Sequence, residues 1–163
     1  MNKMTNEHPS KVVASDIDKL EIKLNYKFDL YYKNFLIEYN GGTCVNYDLK
    51  IENLDGSFDI VEFSDFCGVL KGKDNDHTIA NRTDEYLKEK RILEHFIVIG
   101  NLSSGSLILL NKNDSFLYYW DRDFEVSEGE EPTGENCYYL AKNFKEFFEE
   151  KLYEYVLDED DED

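Results

Sequence analysis

Phe96-Ile97-Val98-Ile99, the turn Gly100-Asn101-Leu102-Ser103-Ser104-Gly105-Ser106, Leu107-Ile108-Leu109-Leu110, the polar turn Asn111 to Ser115, and Phe116-Leu117-Tyr118-Tyr119-Trp120-Asp121 follow one another without a break. Each apolar run is four or five residues long and is bounded by Gly, Asn, Asp or Ser. Runs this short fall below the usual helix length, and their β-branched and aromatic side chains match strands buried on both faces. The turns are short enough for antiparallel neighbours. These three runs are the expected centre of a sheet.

Toward the N-terminus the period changes to two. Val45, Tyr47, Leu49 and Ile51 alternate with Asn46, Asp48 and Lys50, which predicts a half-exposed strand. Asp55-Gly56 is a hairpin signal before a second strand, Phe58 to Phe63. Both are expected at the solvent-facing side of the sheet. Phe66 to Leu70 reads as a further short strand, Lys71 to Asn81 as a polar loop, and Thr83 as the cap of a short helix containing Tyr86 and Leu87.

Further out lie two helices. Ser15 is the expected cap of the first, with Ile17, Leu20 and Leu24 inward and Asn25 at its end. Asp29 caps the second, in which Tyr32, Phe35, Leu36 and Tyr39 form one face. Asn40-Gly41-Gly42 stops it, because Asn and Gly tolerate the left-handed conformation of a helix C-cap.

On the C-terminal side, Phe124 to Asn136 is a loop with Glu125, Glu128, Glu130, Glu131 and Glu135 and no basic residue. Tyr138 to Ala141 is the expected edge strand. Asn143 and Glu146 make a capping box opening a helix with Phe144, Phe147, Phe148, Leu152 and Tyr155 on one side. The reading is an α+β single domain over residues 15–157, with one mostly antiparallel or mixed sheet flanked by helices. A flexible segment, residues 1–14, precedes it, and an acidic disordered tail, residues 158–163, follows.

Composition narrows the function. With 36 acidic against 18 basic residues the net charge is −18, a field that repels nucleic acid and anionic membrane and attracts basic partners. Cys44, Cys67 and Cys137 are an odd set without a C-x-x-C pair, so neither a disulfide framework nor a zinc knuckle is indicated. Met1 to Ser15 has no apolar signal core, and no run approaches the ~18 residues of a membrane span. A cytoplasmic protein is expected.

Patterns that imitate catalytic motifs fail on chemistry. Gly100 to Ser106 has phosphate-loop glycine spacing, yet Ser106 stands at the lysine position and a strand follows where a helix is needed. Glu21-Ile22-Lys23 and Glu149-Glu150-Lys151 have the acidic-x-Lys spacing of some metal nucleases but lie on predicted helices, where such pairs are surface charges. His8, His77 and His95 lack ligand spacing. Asp74-Asn75-Asp76 lacks the Gly and Glu of a calcium loop. No catalytic, cofactor-binding or metal residue is expected, and no cofactor.

The chain resembles the Smi/Knr-type proteins of the SUKH superfamily. The landmarks are Phe35-Leu36-Ile37-Glu38-Tyr39-Asn40-Gly41-Gly42, Ile97 to Gly100, Leu107 to Asn111, Leu117 to Asp121, and Ala141-Lys142-Asn143-Phe144-Lys145-Glu146-Phe147-Phe148, in family order. Two departures stand out: Asn25-Tyr26-Lys27-Phe28 replaces a Gly and a Leu-Pro pair, and the Gly100 to Ser106 loop lacks an acidic residue. The resemblance implies one mixed sheet flanked by helices. In bacteria it implies an immunity protein for a polymorphic toxin, commonly a nuclease; fungal relatives are signalling scaffolds, the alternative reading here.

An acidic surface can steer toward and shield a site built to hold phosphates, while aromatic residues supply the desolvated anchor. The expected partner is a cognate toxin with a basic, nuclease-type domain. Its expected contacts are the loop acids Glu128, Glu130 and Glu131 and the hairpin acids Asp48, Asp55, Asp59 and Glu62. The plain alternative for each is a solvated surface charge. Tyr118 and Trp120 are expected to pack inward.

Overall fold

A computed structural model describes residues 3–5, 10–52, 55–72 and 77–154. The elements run α1 (Ala14–Leu24), α2 (Leu30–Tyr39), β1 (Gly42–Thr43), β2 (Tyr47–Glu52), β3 (Phe58–Phe66), α3 (Ile79–Lys88), β4 (Phe96–Leu102), β5 (Leu107–Asn111), β6 (Leu117–Trp120), β7 (Cys137–Ala141), α4 (Phe144–Glu146) and β8 (Tyr153–Glu154). A single sheet has the order β7-β6-β5-β4-β3-β2-β8, with β1 paired to β3. Every strand pair is antiparallel, so the mixed alternative does not arise among the described strands.

The three apolar runs occupy the centre. All residues of β4 and β5 are buried. Residues paired across antiparallel strands share a face, and three irregularities adjust the register. One face carries Asn101, Leu107 and Trp120; α3 covers it, with Tyr86 edge-on to Trp120 at 5.6 Å. The opposite face carries Phe63, Ile108 and Tyr119. There Phe63 and Phe66 meet Phe144 and Phe147, and Phe35 of α2 packs on Phe66 at 5.1 Å.

Several local expectations change once neighbours are known. Ser15 is not a cap: α1 starts one residue earlier, and Asp16 reaches back to accept the Val13 amide at 3.0 Å. Thr78 caps α3 through the Asn81 amide, while Thr83 lies buried within the helix and accepts the Val98 amide at the β4 bulge. Phe66 to Leu70 does not form a strand beyond β3. Its amides at Val69 and Leu70 bond the buried Asn40 side chain, whose Nδ2 donates to Leu70 O. Gly68 is obligatory at that contact, since a Cβ would lie 2.1 Å from Asn40 O.

The last helix is shorter than its sequence suggests. Asn143 caps it by accepting the Glu146 amide, but α4 passes at once into a π-helical turn, Phe147–Lys151, closed by Leu152 N to Phe147 O. Leu152 is buried, and β8 then pairs with β2, an addition no local pattern announces. The described part of the N-terminal segment touches the domain. Met4 and Val12 are buried, Thr5 bonds Thr43 O, and Lys3 Nζ donates to Phe148 O and Leu152 O. Tyr155, the tail 158–163 and Asp74-Asn75-Asp76 lie outside the described residues.

Candidate partner-binding surface

Burial pushes the thiols of Cys44, Cys67 and Cys137 up to about 12, so they stay protonated and unreactive at neutral pH. Among the described residues no three His, Cys, Asp or Glu side chains come together as a metal site. No helix among them is long and apolar enough to cross a membrane. The Gly100 to Ser106 turn is packing: Gly100 leaves room for Ile108 and Phe63, and the Arg122 side chain lies over Gly105.

Glu21 departs from the expected surface charge. It is only 7% exposed, accepts the Phe28 amide at 2.7 Å and pairs with Lys33 at 3.3 Å. It holds the chain between α1 and α2.

The β2–β3 hairpin has two unlike faces. Pairing of Asp48 with Glu62, Lys50 with Ile60 and Glu52 with Phe58 puts these six on the face that α3 covers farther along the sheet. Here no described element covers it. Phe58 is 59% and Ile60 62% exposed, and Glu52 and Glu62 stand beside them without an ion-pair partner among the described residues. These two apolar residues were not singled out from sequence. The alternation Phe58-Asp59-Ile60-Val61-Glu62-Phe63 contained the signal, but it does not say which face is bare.

The four hairpin acids do not act together. Asp48 corrects the expectation of an exposed contact: it is 8% exposed because β8 lays Tyr153 directly opposite it. Burial, then the carboxylate of Glu62, raises its pKa. Asp55 closes the turn by accepting the amide and hydroxyl of Ser57, bonds that lower its pKa. Asp59 is exposed but pairs with Ile51, on the face opposite to Glu62. Its charge and that of Asp123, after burial, raise the pKa of Asp121. Only Glu62 combines exposure with the bare apolar face.

The acidic loop is partly neutralised by residues distant in sequence. Arg91 grips Glu125 through Nε and Nη2, both at 3.1 Å, and stacks on Tyr86 at 4.4 Å. Lys90 pairs with Glu131 at 3.1 Å. Glu128, Glu130 and Glu131 are all exposed, but only Glu128 and Glu130 lack a cationic partner among the described residues. Glu128 and Glu130 line a cleft of about 530 Å³ together with Lys90 and Arg91. Trp120 packs inward as expected, while Tyr118 is half-buried with its hydroxyl on Asp114.

An antiparallel α+β domain with a strongly acidic, partly bare sheet face is the class these features define. The chain belongs to the SMI1/KNR4 family (SUKH-1), whose model matches residues 11–150. The SUKH domain is known from immunity proteins. No curated protein matches the chain.

Proposed function

We propose that the protein is a cytoplasmic immunity protein that binds a cognate polymorphic toxin and blocks it by steric and electrostatic means, without catalysis or cofactor. The toxin domain is basic and of nuclease type. One observation carries the reading: Phe58 and Ile60 stand exposed beside Glu62 and Glu52 on a sheet face covered everywhere α3 reaches. Apolar anchors ringed by charge that excludes water are the usual anatomy of an interface hot spot. Glu128 and Glu130 add an unpaired acidic flank, with Glu131, Asp55, Asp59 and Asp48 in supporting or structural roles.

Co-expression with a toxin domain tests this. Wild-type protein should restore growth and form a complex that survives gel filtration, and the double variant Phe58→Ala, Ile60→Ala should lose both while folding normally. Retained protection would move the interface away from the hairpin. A protein that binds a regulatory assembly and no toxin would instead be the scaffold form of the fold. Repurified protein with Mg²⁺, Mn²⁺ or Zn²⁺ should cleave neither nucleic acid nor nucleotide; turnover abolished by a single substitution would overturn the non-catalytic reading.

A further inference from the structure

The chain has 18 basic residues, of which only Arg82, Arg91 and Arg122 are arginines. All three line one cleft of about 420 Å³, together with His77, Ser103 and Ser104. In a chain of net charge −18 this is a local concentration of cationic groups. Arg and Lys differ in ways that bear on it: the guanidinium is planar, stacks on aromatic rings and presents a fork matched to two oxygens.

The packing fixes two of the three. Tyr86 carries the Arg82 guanidinium at 5.1 Å and that of Arg91 at 4.4 Å, and Arg91 also lies 5.6 Å from Trp120. Arg82 donates to Asn101 Oδ1 at 2.7 Å and Glu85 at 3.3 Å, and its buried Nε has no hydrogen-bond partner among the described residues. A buried guanidinium nitrogen without an acceptor is costly unless something supplies one. Arg91 is satisfied by Glu125. Arg122, the most exposed, reaches only Ser104 O at 3.4 Å and has no carboxylate partner among the described residues.

Position matters as much as charge. Ser103 donates its amide to Glu62 O, and Arg91 holds Glu125, so the cleft lies between the hairpin and the acidic loop. Asp65 lines it beside His77, and Glu85 and Glu125 already pair with Arg82 and Arg91. Those carboxylates disfavour a dianion or a polyanion, and Arg122 is the one arginine left without a carboxylate among the described residues, so a single negative charge can be received there.

We infer that the cleft of Arg82, Arg91 and Arg122 receives a single carboxylate from a side chain of the bound protein partner. Between two acidic surfaces an acid on the partner gains there rather than loses, so the contact sets the register of the complex. The partner assignment rests on the toxin-binding reading, whereas the carboxylate site is a property of this chain alone.

Three arginines make the test simple, since the protein labelled with ¹⁵N-arginine has only three side-chain Nε–H signals to follow. Acetyl-glutamate amide, a monoanion, should shift the Arg122 and Arg82 signals saturably beyond sodium chloride at equal ionic strength, and Arg122→Gln should abolish saturation. Shifts equal to those of chloride would overturn the site. Tighter saturation by inorganic phosphate would overturn the carboxylate assignment. In the toxin complex, Arg122→Gln should weaken affinity about tenfold, the loss of one charge-assisted hydrogen-bonded contact. Unchanged affinity there, with probe binding intact, would overturn the partner's carboxylate while leaving the site. Failure of wild type to bind any toxin would instead strike the immunity reading.

Discussion

The sheet has two halves built from the same antiparallel ladder and put to different uses. In β4 and β5 every side chain is buried, between α3 on one face and the Phe35, Phe144 and Phe147 cluster near the other. In β2 and β3 the inner face joins that core through Leu49, Ile51 and Phe63, while the outer face stays open with Phe58 and Ile60 in water. Stability therefore resides in the first half, and the second has a face whose residues fold does not require. That separation lets a binding surface vary without cost to the scaffold.

The strongest way to break this contrast is in the centre. Leu109→Ala should destabilise by ~2–5 kcal/mol in denaturant unfolding, because a wholly buried strand position cannot collapse around the cavity. A loss below about 1 kcal/mol would make β5 peripheral. On the open half the effect should move from stability to binding. Phe58→Ala with Ile60→Ala should leave the unfolding midpoint within about 0.5 kcal/mol of wild type yet cost ~2 kcal/mol or more in toxin affinity, measured by calorimetry.

The tether of the acidic loop comes next. Arg91→Ala removes a bidentate pair to half-buried Glu125 and stacking on Tyr86, and should cost ~1–2 kcal/mol of stability with faster amide exchange in residues 125–136. Reversing Glu128, Glu130 and Glu131 together to Lys should change stability by less than about 1 kcal/mol, since only the exposed Lys90 pair is lost. It should slow association with the toxin and, if the loop touches it, speed dissociation as well. If both rates were unchanged, the loop would take no part in the contact and the hairpin would be next to be tested.

The smallest effect concerns Asp48. Its folded pKa is raised by burial and then by Glu62, so its charge opposes folding at neutral pH, and the penalty disappears as pH falls through the folded pKa. Asp48→Asn should therefore stabilise slightly at pH 7, by less than about 1 kcal/mol, and the gain should shrink in acid. A gain that grew in acid would show the carboxylate to be favourably placed.

Legibility followed the range of the interaction. Helix stops at Asn25 and Asn40 and the cap at Asp29 are local, each residue acting on its own neighbours in the chain, and the structure has them where the pattern put them. Both asparagines adopt the left-handed conformation expected of a C-cap. Thr83 read as the cap of α3 from its neighbours alone, because the partner that holds it inside the helix is the Val98 amide, 15 residues away. Asp48 read as exposed by alternation alone, since the strand that covers it begins only at Tyr153.

The candidate surface was legible in charge and illegible in availability. Five glutamates without a cation between Phe124 and Asn136 are visible in the chain, but Lys90 and Arg91, which occupy two of them, come from beyond β4. Phe58 and Ile60 looked like ordinary strand residues because a period of two specifies faces without naming which is covered.

Sequence by itself determined the central strands, the inward stripes of α1 and α2, the acidic field and the family, since periodicity, caps and net charge are properties of neighbours along the chain or of simple sums. Only the tertiary structure decided which acids remain unpaired, which apolar residues remain in water, and that three scattered arginines share one cleft. Those outcomes depend on contacts between segments far apart in the chain, where a single intervening side chain such as Arg91 or Tyr153 changes a free charge into a spent one.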